Sequence, residues 1–577
     1  MRIIKRLLSL ILAAALVLSL AACGETQTHG GEAALPEGIG FQRAPFYQAE
    51  EILLPESAGY VAGSCGDGEK LYYLLEDEDR AMTLYRADLA ADTVEELPDF
   101  ASAPADSEPR PFPRGLTPDG AGGLWLLETQ TVFTYDLPAD FDEEKDSKYQ
   151  YRSDREDRAF LRRLDGGSGR EIESRELTGL TPDFWEQWQG DWTVDSGGIF
   201  SGELTVDRDG GCFVVRPGSL TALDQSGNPL LTLEDPALTA EQPPVRLADG
   251  GVAALCRVSR EDPRGMVDVY TARAVDLEKG CWGPAYELPS ESPAGQYVAL
   301  FGGSGDYLFY ATIDQYLYGW NGETGRAERL LSWTRSNINP SGVSFCGMLP
   351  DSRPVAMAQT WTDWGVTDGL AVLTESDSLP ERTVLTFAGM KISSDQWERI
   401  FRFNSLQTEY FIEARDYGDY STASDLFGGI TLLLTEIGAG KVPDILDTSN
   451  LPMRQLAAKG MLEDLWPYID ADPDLGRDRL MTHVLETDQV NGGLYEVFGQ
   501  FTIDTVAGSR DAVGDRTAWT LEDLQAALDT MPAGCGIFSP YDTQEGTLLA
   551  LLNYMEAQYV DWPAGTCLLY TSPSPRD

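Results

Sequence analysis

The apolar and polar positions of this chain divide it into two regions with different periods. Between residues 42 and 375, short runs of aromatic and β-branched residues alternate with turns rich in Gly and Asp. This pattern predicts β-strands joined by tight turns. From residue 383 onward, short apolar runs alternate with segments whose apolar residues recur at helical spacing, which predicts strands that alternate with helices. The chain therefore combines an all-β region with an α/β region.

The all-β region repeats one theme. A Gly/Asp turn, two strands and a polar turn recur at roughly the 40–50-residue period of a four-stranded propeller blade. We predict a β-propeller over residues 42–375, with roughly six to eight blades; a less regular β-sandwich or solenoid is the alternative. One wider gap contains Asp140–Arg163, a dense mixture of charged residues that we interpret as an exposed insertion. The repeating units are 66–89, 119–137, 207–227, 247–258, 302–325 and 349–377.

Tryptophans within this region have two possible uses. An indole ring can stack on a sugar at a propeller face, or it can fill the interface between two blades. The second use is the more common one, so we interpret these side chains as structural. The residues concerned are Trp125, Trp320, Trp361 and Trp364.

Residues 376–382 form a short linker into the α/β region. The predicted order of elements there is strand, helix, strand, helix, strand: Val384–Phe387, Ser393–Phe403, Tyr410–Ala414, Ala423–Ile437 and a buried strand Val442–Leu446. This alternation is typical of a doubly wound α/β lobe. Ligands of such sheets bind where polar groups follow the carboxyl ends of the strands. The run Asp447–Asn450 follows the third strand in this way.

The first 22 residues have the pattern of a targeting segment. A basic start precedes an apolar run that is shorter than the ~20 residues needed to span a bilayer. The run ends in Leu-Ala-Ala-Cys23 and resembles a bacterial lipoprotein signal, with an ordinary secretory signal as the alternative. The resemblance implies lipid attachment at Cys23 and a location on the outer face of the cell membrane. Residues 23–41 lack an apolar pattern and are predicted to be a flexible tether.

Composition limits the chemistry. A formal charge of −50 argues against nucleic acid and anionic membrane surfaces as partners, so we expect a monomer that contacts the membrane only through its lipid. The cysteines lack CxxC spacing, which predicts buried thiols and neither a disulfide scaffold nor a zinc site. The only histidines are His29 and His483. We therefore predict no catalytic residues, no metal and no cofactor, and leave open whether the β region is an enzyme that uses paired carboxylates.

Four motifs in the α/β region carry a family resemblance. They are AGKVPDIL, LAAKGMLEDLWPYID (Leu456–Asp470), NGGLYEVFGQFTIDTVAGSRD (Asn491–Asp511) and WTLEDLQAAL (Trp519–Leu528). In order and spacing they resemble family 1 extracellular solute-binding proteins. The resemblance implies a type II-like periplasmic-binding domain over residues 383–566. It also implies capture of a small solute, namely a sugar or oligosaccharide, and delivery to the permease subunits of an ABC importer.

The resemblance also implies ligand contacts at the ends of the strands and in the segment that crosses between two lobes. The implied contacts are Met390, Lys391, Asp416, Tyr417, Asp447, Thr448, Asn450, Gln500 and Thr502. Asp447 is the first choice because a carboxylate accepts two hydroxyl hydrogen bonds at once. An equally good interpretation is that Asp447 caps the helix that starts at Leu451, and both roles are compatible.

The chain departs from the family at both ends of the resemblance. It has a large β region in front, and it is too short to contain most of a second lobe, so the solute-binding domain is expected to be truncated. One reverse translation of residues 567–577 matches a transposase adapter used for sequencing libraries, and we expect this tail to be an artefact. The alternative function is a surface glycan-active enzyme, or a surface sensor or adhesion protein, that acts through the propeller.

Overall fold

The fold is described from a computed structural model of the whole chain. It describes residues 46–529 with breaks at 53–59, 67–69, 78–80, 90, 92, 102–111, 140, 142–150, 179–202, 208, 263–264, 290–296, 363–364, 377–381, 422–424, 426, 500, 502–513 and 515–519, and also residues 560–561 and 566–567.

Residues 46–376 form a six-bladed β-propeller in which every blade is a four-stranded antiparallel sheet. Blade 1 contains β2 (Tyr60–Gly66), β3 (Lys70–Glu76), β4 (Met82–Asp88) and β5 (Thr93–Glu96). Blade 2 contains β6 (Phe112–Pro118), β7 (Gly123–Tyr135), β8 (Arg152–Asp165) and β9 (Glu171–Glu176). Blade 3 contains β10 (Glu203–Val206), β11 (Cys212–Arg216), β12 (Ser219–Leu223) and β13 (Pro229–Glu234).

The remaining blades follow the same order. Blade 4 contains β14 (Val245–Arg246), β15 (Val252–Asp262), β16 (Gly265–Asp276) and β17 (Cys281–Glu287). Blade 5 contains β18 (Val298–Ser304), β19 (Tyr307–Ile313), β20 (Tyr316–Asn321) and β21 (Arg326–Ser332). Blade 6 contains β22 (Val343–Met348), β23 (Pro354–Thr362), β24 (Gly365–Ser376) and the chain's first strand, β1 (Phe46–Ile52). The predicted propeller is confirmed, and each of the six sequence units lies in one blade.

The ring is closed by β1. This strand pairs with β24 along its whole length, from Phe46 opposite Ser376 to Ile52 opposite Leu370. It forms the outer edge of blade 6, so the strands of that blade come from both ends of the propeller sequence. Blade 6 therefore also has four strands, three from the end of the propeller sequence and one from its beginning.

Apolar layers between neighbouring blades form the core. Leu255 and Tyr270 of blade 4 pack with Phe309 and Tyr318 of blade 5. Five further clusters fill the other five interfaces in the same manner. Since successive side chains of a strand point to opposite faces, an inner strand that is buried on both faces reads as a continuous apolar run. The run Leu71–Leu75 of β3 is of this type and is at most 4 % exposed.

The Gly/Asp turns have a common hydrogen-bonding pattern. In blade 2, Asp119 Oδ1 accepts the N–H groups of Ala121 and Gly123, each at 2.7 Å. In blade 3, Asp207 Oδ1 accepts the N–H of Gly211 at 2.7 Å. An Asp side chain that bonds the backbone two residues on is a standard way to fix a tight turn. These carboxylates therefore hold the turn between the first two strands of a blade.

The interpretation of Asp140–Arg163 as an exposed insertion is wrong in its second half. Residues Arg152–Asp165 form β8, the third strand of blade 2, and Leu161 and Leu164 on it are fully buried. The charged residues of the strand pair with neighbours, as Arg158 does with Glu176 at 2.7 Å. The many charged residues of this strand obscured the short alternation of its apolar residues in the sequence.

After the propeller, the chain forms a small α/β unit, residues 382–499. Its sheet has three parallel strands in the order β26-β25-β27, which is the order of a βαβαβ unit. The strands are β25 (Thr383–Gly389), β26 (Tyr410–Asp416) and β27 (Ile445–Leu446). The helices are α1 (Ser394–Leu406), α2 (Gly428–Gly438), α3 (Met453–Ala458), α4 (Trp466–Ala471) and α5 (Thr482–Leu485). The sheet is too small to establish the predicted type II-like periplasmic-binding lobe.

Most predicted elements of this unit are present, with two differences. Helix α2 begins at Gly428, five residues after the predicted start. The predicted buried strand Val442–Leu446 is reduced to Ile445–Leu446, and Val442 is 57 % exposed. Pro443 has no N–H for a sheet ladder, and the Asp444 carboxylate binds the N–H of Thr386 at 2.8 Å instead. The backbone therefore joins the sheet only after Asp444.

Beyond residue 499 the structure describes only short pieces. Helix α6 (Leu521–Asp529) begins with a side-chain cap, since Asp523 N–H donates to Thr520 Oγ1 at 3.2 Å. Two-residue strands β28 (Val560–Asp561) and β29 (Thr566–Cys567) pair with each other. Residues 568–577 lie outside the described residues. Over the part of the chain that is described, no helix is long and apolar enough to cross a membrane.

The cysteines follow their prediction only in part. The five whose side chains are described form no disulfide: Cys65, Cys212, Cys256 and Cys346 are buried, and Cys281 is exposed. Burial raises the pKa of the Cys212 thiol to about 12 and that of Cys256 to about 11. These two thiols therefore stay protonated at neutral pH and behave as small apolar side chains.

The α/β unit packs against blade 6 through a buried charged contact. Arg335 Nε lies 3.3 Å from Glu413 Oε1, and their side chains are 12 % and 11 % exposed. The same guanidinium lies 3.7 Å above the ring of Phe46. Asn337 Nδ2 donates to Ser405 Oγ of helix α1 at 2.9 Å. The junction thus joins β1, β26 and α1 at one place.

Candidate functional site

The carboxyl ends of the three parallel strands meet, as the sequence predicts. Gly389 is paired with Asp416 across β25 and β26. Asp447, directly after β27, donates its N–H to the carbonyl oxygen of Ala388 at 2.8 Å. Seven of the predicted contact residues therefore lie at strand ends or just after them at one edge of the sheet, which we call the sheet edge: Met390, Lys391, Asp416, Tyr417, Asp447, Thr448 and Asn450.

The Asp416 carboxylate is already used by the chain itself. Its Oδ1 accepts the N–H groups of Lys391 at 2.8 Å and Gly418 at 2.7 Å, and its Oδ2 accepts the N–H of Ile392 at 2.8 Å. Lys391 has a positive φ of 56°, and two successive N–H groups thereby reach one carboxylate. The anion position at the start of α1 is therefore filled by a side chain of the same unit.

Asp447 is also engaged. Its Oδ1 accepts the N–H and hydroxyl of Ser449 at 3.0 and 2.6 Å, and its Oδ2 accepts Gln396 Nε2 at 3.1 Å. Burial acts to raise the pKa of Asp447, but these hydrogen bonds hold it below its ordinary value. Helix α3 starts later, with Pro452 at its cap. Asp447 therefore fixes the turn after β27 and does not cap a helix at Leu451.

Two predicted contacts lie in the apolar core of the unit. Met390 and Tyr417 are 9 % and 7 % exposed and pack with Leu433 and Ile437. The Tyr417 hydroxyl donates to Glu436 Oε2 at 2.5 Å, and burial together with that carboxylate raises the pKa of Tyr417 to about 12. Both side chains are therefore held by neighbours of the same unit, and their role as ligand contacts stays a prediction.

The other predicted contacts differ in their environment. The Thr448 hydroxyl donates to Glu496, whose pKa is raised by burial and by the nearby carboxyl of Asp488. Asn450 is exposed. Gln500 and Thr502, and the lipid-attachment residue Cys23, lie outside the described residues. Of the sheet-edge side chains, Lys391 and Asn450 are the ones that face solvent most openly.

A second candidate lies in the propeller, in a cleft between blades 4 and 5 with a volume of about 450 Å³. We call it the blade cleft. Blade 4 supplies the ends of its hairpin β15–β16 and of β17, and blade 5 supplies the turn between β20 and β21. The lining residues are Arg260, Val267, Val269, Glu287, Leu288, Pro289, Trp320, Gly325, Arg326 and Ala327.

The aromatic side of the blade cleft is rigid. The Trp320 ring stacks on Phe309 with centroids 5.9 Å apart and planes at 8°, and Tyr286 of blade 4 lies 5.3 Å from the same indole. Phe309 is 1 % exposed, whereas Trp320 is only partly buried. The ring therefore fills the interface between two blades, as predicted, and it also lines an open cleft.

Charged side chains also line the blade cleft. Arg260 is on the part of β15 that extends beyond the short strand β14, which pairs only with Val252 and Ala253. Its guanidinium lies 4.0 Å from Glu287, with the two side chains 58 % and 67 % exposed. Arg326 is exposed and follows the tight turn in which Gly325 N–H donates to the carbonyl of Asn321 at 3.0 Å.

Sequence reasoning missed the blade cleft because its charged residues are far apart in the chain. Arg260, Glu287 and Arg326 belong to three different strands and share no motif. The available signals were Trp320 and the unusual length of the hairpin β15–β16. Among the described residues, no cluster of His, Cys, Asp and Glu is arranged to hold a metal ion.

The comparisons with known proteins add little beyond the propeller class. No protein-family model matches the chain, and no curated protein matches it in sequence. Its structure is similar to luciferin-regenerating enzyme (9 % identity, 57 % of this chain and 95 % of that one, TM-score 0.31). It is also similar to virginiamycin B lyase from Staphylococcus aureus (11 % identity, 57 % of this chain and 99 % of that one, TM-score 0.28). A third similar structure is NanB sialidase from Streptococcus pneumoniae (10 % identity, 57 % of this chain and 70 % of that one, TM-score 0.33). Similarity at this level carries no information about ligand or activity.

Proposed function

We propose that this chain is a cell-surface saccharide-binding protein and that its propeller binds the sugar in the blade cleft. One observation carries the proposal: the blade cleft is open, with Trp320 partly exposed in it, whereas the carboxylates of the sheet edge are engaged by their own loops. A ligand that binds the carboxylates of the sheet edge competes with existing hydrogen bonds, and a ligand that packs on Trp320 in the blade cleft does not.

The shape and chemistry of the blade cleft suit a sugar. Its volume of about 450 Å³ is within the usual range of small-molecule sites, roughly 300–1,000 Å³. An indole face packs on the C–H surface of a pyranose ring, and charged side chains at the rim bind hydroxyl groups. Trp320 is held in place by Phe309 and Tyr286, so little conformational freedom is lost on binding.

The cellular setting of the proposal comes from the sequence. Lipid attachment at Cys23 would hold a monomeric protein at the outer face of the membrane, with residues 23–41 as a tether. In this setting the propeller would act as a surface receptor for saccharides. A glycan-active enzyme is the variant of this function in which the bound saccharide is also cleaved.

The proposal is tested by binding of the full chain to a panel of oligosaccharides, measured by calorimetry, with Trp320→Ala as the main variant. We expect at least one saccharide to bind and the variant to lose at least tenfold in affinity, about 1.4 kcal/mol. Trp282→Ala is the matched control, since Trp282 is a partly buried tryptophan of blade 4 outside the cleft. Unchanged binding by Trp320→Ala, in a protein that melts as the wild type does, would place the sugar elsewhere.

The same samples distinguish binding from catalysis. Each bound saccharide is incubated with the protein and assayed for new reducing ends. Release of reducing ends that Trp320→Ala abolishes would identify a glycan-active enzyme, and an intact saccharide would identify a receptor.

A second candidate function is solute delivery to an ABC importer through the sheet edge. The observation in its favour is that three strand ends and their polar residues meet in the predicted order. If this function holds, Asn450→Ala weakens sugar binding and Trp320→Ala does not. The two variants therefore decide between the two sites in one experiment.

A further inference from the structure

We propose that the blade cleft selects anionic saccharides, with Arg326 and Arg260 binding the carboxylate of a uronic acid residue. The inference rests on the proposed function, because it names the ligand class for the same cleft. It is based on the charges that line the cleft and on the way these charges are used.

Most arginine side chains of the described propeller residues are engaged by other groups. The protein has 43 basic and 93 acidic residues, so carboxylates are in large excess. Accordingly, Arg162, Arg163 and Arg273 of the propeller all contact carboxylates at close range. Within the described part of the chain, the Arg326 guanidinium makes no hydrogen bond or ion pair, although it lines a cleft. A guanidinium kept available in an acidic protein is what an anionic ligand requires.

The second guanidinium is only loosely held. Arg260 and Glu287 are 4.0 Å apart at their closest atoms, and both side chains are more than half exposed. Exposed pairs of this geometry contribute little to stability. An incoming carboxylate can form two parallel hydrogen bonds with one guanidinium, which is stronger than the contact it replaces. Glu287 would then be available at the rim as an acceptor for sugar hydroxyls.

The apolar lining of the cleft favours an anion that is carried by a sugar. Trp320, Val267, Val269 and Leu288 give the cleft an apolar surface that a free inorganic anion does not use. A uronic acid combines an apolar C–H face with a planar carboxylate on the same ring. The C–H face of the sugar ring thus matches the apolar lining residues, and its carboxylate matches the two arginines.

The test compares matched pairs of saccharides. Trimers of galacturonate, glucuronate and mannuronate are titrated into the full chain by calorimetry, next to their methyl esters, which keep the ring and lose the charge. We expect at least one acid to bind at least tenfold more tightly than its ester, about 1.4 kcal/mol. This preference should decrease as salt rises from 20 to 300 mM.

Variants assign the preference to the residues. Arg326→Gln should bring the acid to within about twofold of its ester, and Glu287→Gln should retain or increase acid binding. Arg353→Gln, a partly exposed arginine in a turn of blade 6, is the matched control and should retain the full preference. Arg326 is exposed, so its replacement is not expected to affect folding.

The outcomes separate the two proposals. Equal binding of acids and esters, lost in Trp320→Ala, would overturn the uronate preference and retain saccharide binding in the cleft. A preference that survives Arg326→Gln and Arg260→Gln together would also overturn it. Tighter binding of sulfated than of carboxylated trimers would show that a different anion is recognised. The absence of binding by any saccharide, charged or neutral, would overturn the proposed function itself.

Discussion

The sheet edge and the blade cleft use charged side chains in opposite ways. At the sheet edge, Asp416 and Asp447 accept three hydrogen bonds each from nearby groups of the α/β unit. In the blade cleft, Arg260 has one long contact and Arg326 is exposed at the rim. The first set of charges fixes loops, and the second is left available to solvent.

This difference shows why polar residues at the end of a parallel strand are an incomplete indication of a ligand site. The same carboxylate can bind a sugar or hold the loop that carries it, because both roles need acceptor oxygens. Only the hydrogen bonds of the folded chain distinguish these roles. Four experiments test the comparison.

The largest expected effect is that of Asp416→Ala. Three backbone N–H groups would lose a charged acceptor, and we expect the α/β unit to lose about 2–4 kcal/mol of unfolding free energy. Hydrogen exchange of amides in residues 383–420 measures this loss directly. Glu398→Ala, an exposed change on helix α1, is the control and should alter exchange very little. An Asp416→Ala protein with wild-type protection would show that this carboxylate is not a structural one.

The next prediction concerns the pH dependence of stability, which has opposite signs at Asp447 in the α/β unit and at Glu128 in blade 2. Hydrogen bonds lower the pKa of Asp447 below 3.8, so its contribution is present above pH 3.8 and is lost as pH falls through the folded-state pKa. Burial raises the pKa of Glu128 in blade 2 above 4.5, despite its ion pair with Arg162, so stability is lost as pH rises from 4.5 through the folded-state pKa.

Urea unfolding between pH 3 and 7 measures both slopes. Asp447→Asn should remove part of the loss of stability below pH 4, and Glu128→Gln should remove part of the decline above pH 4.5. Wild-type slopes in both variants would contradict the assignment of these two groups.

A small effect is expected for Arg326→Gln on stability. The side chain is exposed at the cleft rim, so the free energy of unfolding should change by less than about 0.5 kcal/mol. Thermal melting of the variant and the wild type gives this value. A loss above about 1 kcal/mol would mean that Arg326 has a structural partner and is not reserved for a ligand.

The smallest effect is that of Asn450→Ala on stability, again below about 0.5 kcal/mol because the residue is exposed. The variant is useful for that reason. Any change that it causes in sugar binding reports on contact at the sheet edge and not on folding. A clear shift in melting temperature without added sugar would remove this advantage.

Much of the propeller was predictable because its signals are local. Turn residues such as Asp119, Asp207 and Asp249 recur between the first two strands of blades 2, 3 and 4, and each turn is followed by an apolar strand. The number of blades was not fixed by sequence, since β1 joins blade 6 from the other end of the domain. Strand β8 was missed because its charged residues outnumber the apolar ones that are buried.

The candidate sites were predictable to different degrees. The convergence of Met390, Asp416 and Asp447 follows from strand order and was anticipated. Their engagement by backbone groups depends on loop conformation, such as the positive φ of Lys391, which sequence does not display. The blade cleft depends on contacts between blades 4 and 5 whose residues share no spacing. Long-range packing of this kind has no counterpart in local patterns.

The closure of the ring by β1 has a mechanical consequence. Phe46 and Ser376 are opposite each other, so the segments that lead to the amino terminus and to the α/β unit leave blade 6 side by side. Tension between these two segments would break the residue pairs of β1 and β24 one after another, starting with Phe46 and Ser376. It would not pull the two strands past each other in shear. The contact of Arg335 with Glu413 and Phe46 lies at the Phe46 end of this strand pair and would be the first to bear the load. A pull between Phe46 and the α/β unit would therefore open the propeller at blade 6, and at lower force than a pull along the strands.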